Sequence, residues 1–354
     1  MAEPEFYVTD HSADLDCRPR IALDELYGLI KAAWFSSVRT DFRWDHLEKT
    51  KDSHDKVQAA YYGKALRAMV SAGLKPPTVV LSSVPAFCRD GNVRHFMDRY
   101  PLYLQKILGV LESVPEMKVA TIQVLNEINS KMFFQPSPEH LDELCSWTRA
   151  ILGGYNPKIK LMATVFAGNL LSKTGGLFGA GALEYLEKNE AVLRSNFEVI
   201  GVDYYPGLLH RIFRRESRFS DMEMLEKVFA LLSGWRNVNY ELGETGFPTN
   251  WPFWKSKLRR ERKQRTFFVR FFEALEMMLV RFKSKGLRLP SRIGIYEAVD
   301  EDPKGSWGRF LRKYTPYNEH DMGLMMSDGG KKRFMANGYD LPRIMRIIKK
   351  VYSS

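Results

Sequence analysis

Eight short runs rich in β-branched and apolar residues alternate with eight longer amphipathic stretches, and this alternation constrains the fold more than any other feature of the chain. The runs cover residues 5–9, 37–41, 78–82, 120–125, 159–164, 199–204, 238–242 and 292–296. The amphipathic stretches cover 22–34, 56–72, 96–111, 138–152, 183–194, 221–233, 265–285 and 341–352. Such alternation reads as repeated βα units around a parallel sheet. Eight units make a closed (β/α)8 TIM barrel of the α/β class, and 354 residues suit one such barrel. No stretch rich in Pro, Gly or Ser divides the chain, so one domain over residues 1–354 is expected.

Composition excludes several other classes. An apolar content of 45% with 13% aromatics is ample for a large core and rules out a disordered chain. Cys17, Cys88 and Cys145 are too few and too scattered for a disulfide framework, and no pair has metal-ligand spacing. The start of the chain has neither the basic nor the apolar region of a secretory signal, and no apolar run reaches membrane-spanning length. A cytoplasmic protein is therefore expected. The histidines show no His-x-x-x-His or His-Glu-x-x-His spacing and the serines no Gly-x-Ser-x-Gly elbow, so neither a metalloenzyme nor a serine hydrolase is expected.

The net charge is +11, with its densest run at residues 255–265. That run reads as the solvated start or face of a helix. Its sharper alternative is a patch for an acidic glycan or a membrane surface; nothing resembling a nucleic-acid motif accompanies it, so no nucleic-acid partner is expected. Residues 168–181 are glycine-rich but lack both phosphate-binding glycine patterns, and read as a loop at the barrel mouth.

Barrels of this kind gather their chemistry at the C-terminal ends of the strands. Five runs here break into ionisable or aromatic residues at that end alone. The second ends in Arg39-Thr40-Asp41-Phe42-Arg43-Trp44, the fourth in Asn126-Glu127 and the sixth in Asp203-Tyr204-Tyr205. The seventh ends in Glu244, and the eighth runs through Tyr296 and Glu297 to Glu301 and Lys304. A carboxyl group is expensive beside apolar strands unless it is paired or used. Glu127 and Glu244 are two such groups.

These segments resemble the clan A glycoside hydrolases, retaining enzymes whose signature is Asn-Glu after strand four and a glutamate after strand seven. Leu125-Asn126-Glu127 is similar to the first element and Glu244-Thr245-Gly246-Phe247-Pro248 to the second. The Glu-Thr-Gly-aromatic-Pro form is closest in style to family 17, the β-1,3-glucanases and their transferase relatives. The segment from Tyr296 to Lys304 resembles that family's strand-eight sugar-binding stretch, and Arg39 the clan's strand-two arginine. The stretch from His320 to Lys332 resembles the closing segment before the last helix. Departures from the pattern are Ile128 where proline is common, Phe247 where family 17 prefers tryptophan, and Asp203 where some families carry histidine.

The resemblance implies retaining hydrolysis of a β-linked oligo- or polysaccharide without a cofactor. Glu127 would be the acid and then the base, and Glu244 the nucleophile. Arg39 and Tyr205 would orient Glu244, Asn126 would meet a sugar hydroxyl, and Tyr296, Glu297, Glu301, Lys304 and Trp251 would line the substrate site. A transglycosylase with the same pair, or a barrel that binds an acidic glycan without cleaving it, are the competing readings. Alternatives also stand for single residues. Arg39 has the alternative reading of an ion-pair partner of Asp41 or Asp45, and Glu301 with Lys304 that of an exposed loop pair. Of Tyr204 and Tyr205, alternation along a strand sends one to the core and the other to the site, and Tyr205 is assigned to the site. Trp44, Trp251, Trp254 and Trp307 read as sugar-stacking rings or as packing, with Trp251 and Trp254 the better stacking candidates.

Overall fold

In the computed structural model, all eight runs form strands, joined in chain order into one closed parallel barrel. The structure describes residues 3–17, 21–88, 93–131, 137–167, 180–205, 222–246, 257–296 and 341–353. The strands are β1 Glu5–Asp10, β2 Ser37–Arg43, β3 Thr78–Ser82, β4 Thr121–Val124, β5 Lys160–Phe166, β6 Val199–Asp203, β7 Asn239–Glu244 and β8 Arg292–Tyr296. Closure is made by β8 against β1, in register from Glu5↔Arg292 to Thr9↔Tyr296. Every residue of β3 and β6 is buried, as expected of parallel strands covered on both faces.

The helices are α1 Leu23–Ala32, the single turn α2 Trp44–Leu47, α3 Lys56–Ser71, α4 Val93–Glu112, α5 Pro138–Leu152, α6 Ala182–Lys188, α7 Glu190–Asn196, α8 Glu223–Ser233, α9 Lys257–Ser284 and α10 Leu341–Ser353. Leu23, Leu26, Tyr27 and Ile30 form the buried stripe of α1, at the spacing one helix face requires. Asp55 caps α3 by accepting from the backbone N–H groups of Val57 and Gln58, satisfying donors the helix cannot.

Most boundaries shift by a few residues from the expectation, and three of the differences change how the chain is read. β4 ends at Val124, because Leu125 has φ 65° and leaves the extended conformation. The stretch 183–194 is two helices, α6 and α7, broken at Asn189, whose side chain and backbone N–H both donate to the Tyr185 carbonyl. α9 begins at Lys257, eight residues before 265, so the backbone of most of the basic run is helical. No helix among the described residues is long and apolar enough to cross a membrane.

The β7–β8 seam is unusually close. A Cβ on Gly294 would lie 2.0 Å from the Gly243 carbonyl oxygen and 2.6 Å from the Tyr7 ring. Backbone in a closed barrel cannot retreat from such a contact. Gly294→Ala is expected to destabilise by about 3 kcal/mol, the upper end of overpacking effects, read as a lowered midpoint in urea unfolding. An unchanged midpoint would mean that the seam yields.

Candidate active site

Inside the barrel two polar layers lie one above the other. In the lower layer the Tyr7 hydroxyl donates to Glu241 at 2.8 Å, and Arg292 sits 3.4 Å from Glu241 and 4.3 Å from the Tyr7 ring centre. The upper layer, nearer the C-terminal strand ends, is organised by Arg39, which is 2% exposed. Its Nε donates to Gln123 Oε1 at 2.8 Å and its Nη2 to Asn126 Oδ1 at 3.0 Å. Its Nη1 donates to Glu244 Oε1. Asp203 Oδ2 lies 3.9 Å from Nη2. Burial opposes the Arg39 charge, but Asp203, Tyr7 and Asp41 outweigh it and raise the pKa further.

Glu244, at the end of β7, is 6% exposed. Besides Arg39, it accepts from Thr9 at 3.1 Å on Oε1 and from the Tyr205 hydroxyl at 2.5 Å on Oε2. Three donors from β1, β2 and the residue two beyond β6 therefore converge on one carboxylate. Charge-assisted bonds of this kind favour the ionised form and restrict its rotation.

Glu127 stands three residues beyond β4 and is buried to the same 6%. Its φ of 43° places a non-glycine residue in the left-handed region, a conformation that costs about 1–3 kcal/mol and persists where surrounding contacts impose it. Those contacts are visible. The Glu127 N–H donates to Thr164 Oγ1 at 3.0 Å, its carbonyl accepts from Ser130 at 2.8 Å, and Ile128 N–H donates to the Thr164 carbonyl at 2.9 Å. The two glutamates are tied to one network. Gln123 Nε2 donates to Thr164 Oγ1 at 2.9 Å and to Asn126 Oδ1 at 3.0 Å, and the same Asn126 oxygen accepts from Arg39.

An aromatic wall continues from this centre. Tyr205 packs against Phe166 at 6.3 Å and edge-on against Tyr296 at 6.0 Å. Tyr296 in turn meets the edge of His11 at 5.5 Å, and His11 Nδ1 is 2.7 Å from Asp41 Oδ2. Burial pushes Asp41 up, but His11, then Arg39 and Arg43, outweigh it and hold the carboxyl below its usual range.

Where the single-residue alternatives fall on described residues, the structure separates them. Arg39 bonds Glu244, while Asp41 takes His11 and Asp45 takes Arg43. Tyr205 faces the site; Tyr204 is buried with its ring 6.4 Å from Phe271. Trp44 is packing, stacked on Tyr103 at 4.8 Å and donating to Glu48. Trp251, Trp254, Phe247, Glu297, Glu301, Lys304, Trp307, the segment 320–332 and most of the glycine-rich stretch lie outside the described residues.

Residues that sequence reasoning did not place in the site are Thr9, Gln123 and Thr164. Each is a polar residue within a strand, and only closure of the barrel turns it toward Arg39 or the glutamates. Elsewhere, Asp14, Asp16 and His46 bring potential metal-ligand atoms within 4.8 Å of one another. Ion pairs already account for that cluster, since His46 lies 2.7 Å and Arg43 3.7 Å from Asp14 Oδ2.

No family model and no curated protein matches the chain. Solved structures do match in fold. An exo-β-1,4-mannosidase from Opitutaceae bacterium strain TAV5 superposes with a TM-score of 0.66 at 14% identity, covering 99% of this chain and 59% of the other. A GH5_18 variant from Streptomyces cattleya, in complex with Manb1-4GlcNAc, gives 0.66 at 14% identity over 99% of this chain and 80% of its own. A family 39 glycoside hydrolase from Bacteroides cellulosilyticus WH2 gives 0.57 at 17% identity over 98% of this chain and 64% of its own. The chain thus spans under two thirds of the length of the mannosidase and of the family 39 protein, and what it shares with all three is the barrel fold.

Proposed function

We propose that the chain is a retaining glycosidase of the clan A type, acting on a β-linked glycan through Glu127 and Glu244. The observation that carries this reading is the cage around Glu244. A buried carboxylate held ionised and oriented by Arg39, Tyr205 and Thr9 has the protonation state and fixed aim that a nucleophile needs. Glu127 is the acid that protonates the leaving oxygen and then the base that deprotonates the incoming water, which requires the two carboxyl groups about 5–5.5 Å apart. Asn126 donates to the sugar 2-hydroxyl, a bond that strengthens as the oxocarbenium-like transition state forms. Tyr296 and Tyr205 form one wall of the sugar site, and the scheme needs no cofactor. The fold neighbours named above are glycosidases, which favours this chemistry over a barrel that merely binds glycans.

Two substrate classes stand out. The Glu-Thr-Gly-Phe-Pro segment after β7 has the style of family 17, which favours β-1,3-glucans. One neighbour is described as a mannosidase and another was captured with Manb1-4GlcNAc, which favours β-mannosides. Digestion of a panel containing both, with the anomer of the first product assigned by NMR, tests the reading. Retained configuration is expected. An inverted product, or no cleavage of any β-glycoside, would sink it. Supplying a second sugar as acceptor and scoring transfer products separates hydrolysis from transglycosylation.

A further inference from the structure

Asp203 is the last residue of β6 and is fully buried at the centre of the upper layer. It pairs in register with Glu244, next to an irregularity in the β6–β7 ladder. A Cβ on Gly243 would lie 2.2 Å from Asp203 Oδ1, so the glycine preceding Glu244 leaves room for this carboxyl group. Two carboxyl groups therefore flank one guanidinium, Glu244 on Nη1 and Asp203 at 3.9 Å from Nη2. The other polar groups around Asp203 are Tyr7 on β1, Asp41 on β2, Thr164 on β5 and Glu241 on β7. Glu241 is engaged by Tyr7 and Arg292, and Asp41 by His11. Arg39 is thus the cation that Asp203 and Glu244 share.

We propose that Asp203 is a positioning residue that divides Arg39 with Glu244, its proton setting how firmly the arginine holds the nucleophile; this rests on the glycosidase reading above. Burial pushes the Asp203 carboxyl up to about 6, against the pull of Arg39 and Thr164. Below that pH Asp203 is neutral and Arg39 is committed to Glu244. Above it a second negative charge competes for Arg39, and the added negative potential raises the pKa values of neighbouring carboxyl groups.

The test is Asp203→Asn, which keeps the shape and cannot ionise. The pH profile of kcat/KM on an activated β-glycoside is measured for both proteins from pH 4 to 8. The limb above pH 6 is expected to move to lower pH in the variant, by about half a unit or more, because a nearby negative charge has gone, while the limb below pH 6, where Asp203 is already neutral, stays in place. A uniform fall at every pH with unmoved limbs would show a structural role and overturn the proposal. A second measurement needs neither activity nor the variant. In wild-type protein labelled with 13C at its Asp and Glu carboxyl carbons, an aspartate signal should titrate near 6, and the Glu244 signal, assigned with Glu244→Gln, should shift at the same midpoint. A Glu244 signal blind to that midpoint overturns the proposal. If wild type cleaves no glycoside while the coupled titration is present, the functional reading fails and the sharing of Arg39 stands.

Discussion

Glu244→Gly is expected to lower kcat/KM on any β-glycoside by roughly 10⁴-fold or more, the scale seen when a nucleophile is removed from a working site. The loss should be partly reversed by azide or formate on a substrate with an activated leaving group. The geometry explains why. Removing the side chain leaves Arg39, Thr9 and Tyr205 pointing at an empty anion-sized space, and a buried guanidinium without its partner is costly. A small anion restores the charge balance and can attack the anomeric carbon from the face Glu244 occupied. Such a single displacement inverts the centre, so the azide product should be the α-anomer. Failure of every small anion to rescue, with the variant still folded by circular dichroism, would remove Glu244 from the nucleophile role.

Glu127→Gln should have a different signature. The amide keeps the volume and the left-handed backbone at φ 43° but cannot donate a proton to the leaving oxygen. General acid catalysis contributes about 10²–10⁴-fold, so turnover of glycans with poor leaving groups should fall by that amount. Substrates with acidic phenol leaving groups need little protonation and should still form the glycosyl-enzyme, which then accumulates as a burst. The measurement is kcat/KM across a series of leaving-group acidities. The slope should steepen relative to wild type, and a parallel line would show that Glu127 is not the acid. Together the two variants distinguish the roles. Azide intercepting the glycosyl-enzyme of the Glu127 variant enters opposite Glu244 and gives the β-anomer.

The local segments resemble clan A with a family 17 style, whereas two of the fold neighbours are described as a GH5_18 and a family 39 glycoside hydrolase, and similarity to family 17 is not shown. A strand-end motif of a few residues identifies a mechanism better than a sugar. In the proposed reading the mechanism rests on two carboxyl groups and their orienting donors, whereas the loop residues assigned to the sugar, Trp251, Glu301 and Lys304, lie outside the described residues.

Strand order and the polar ends of β2, β4, β6, β7 and β8 were legible in the sequence, because burial on both faces demands continuous apolar runs and a site interrupts them at one end. The same locality explains where reading failed. Leu125 and Asn189 gave no sign of the backbone breaks they carry, since both breaks depend on local backbone geometry and bonding that composition does not encode. Strand positions alone could not say whether Arg39 would pair with Asp41, Asp45 or a distant glutamate. Arg39 and Glu244 are 205 residues apart in sequence, and their contact exists because the barrel closes. Gln123, Thr9 and Thr164 became site residues by the same closure. The sequence by itself determined the barrel and placed two glutamates at the ends of its fourth and seventh strands. The tertiary structure decided which groups hold them, and that Asp203 shares the arginine, because hydrogen bonds across a barrel follow the radial arrangement of its strands rather than their order along the chain.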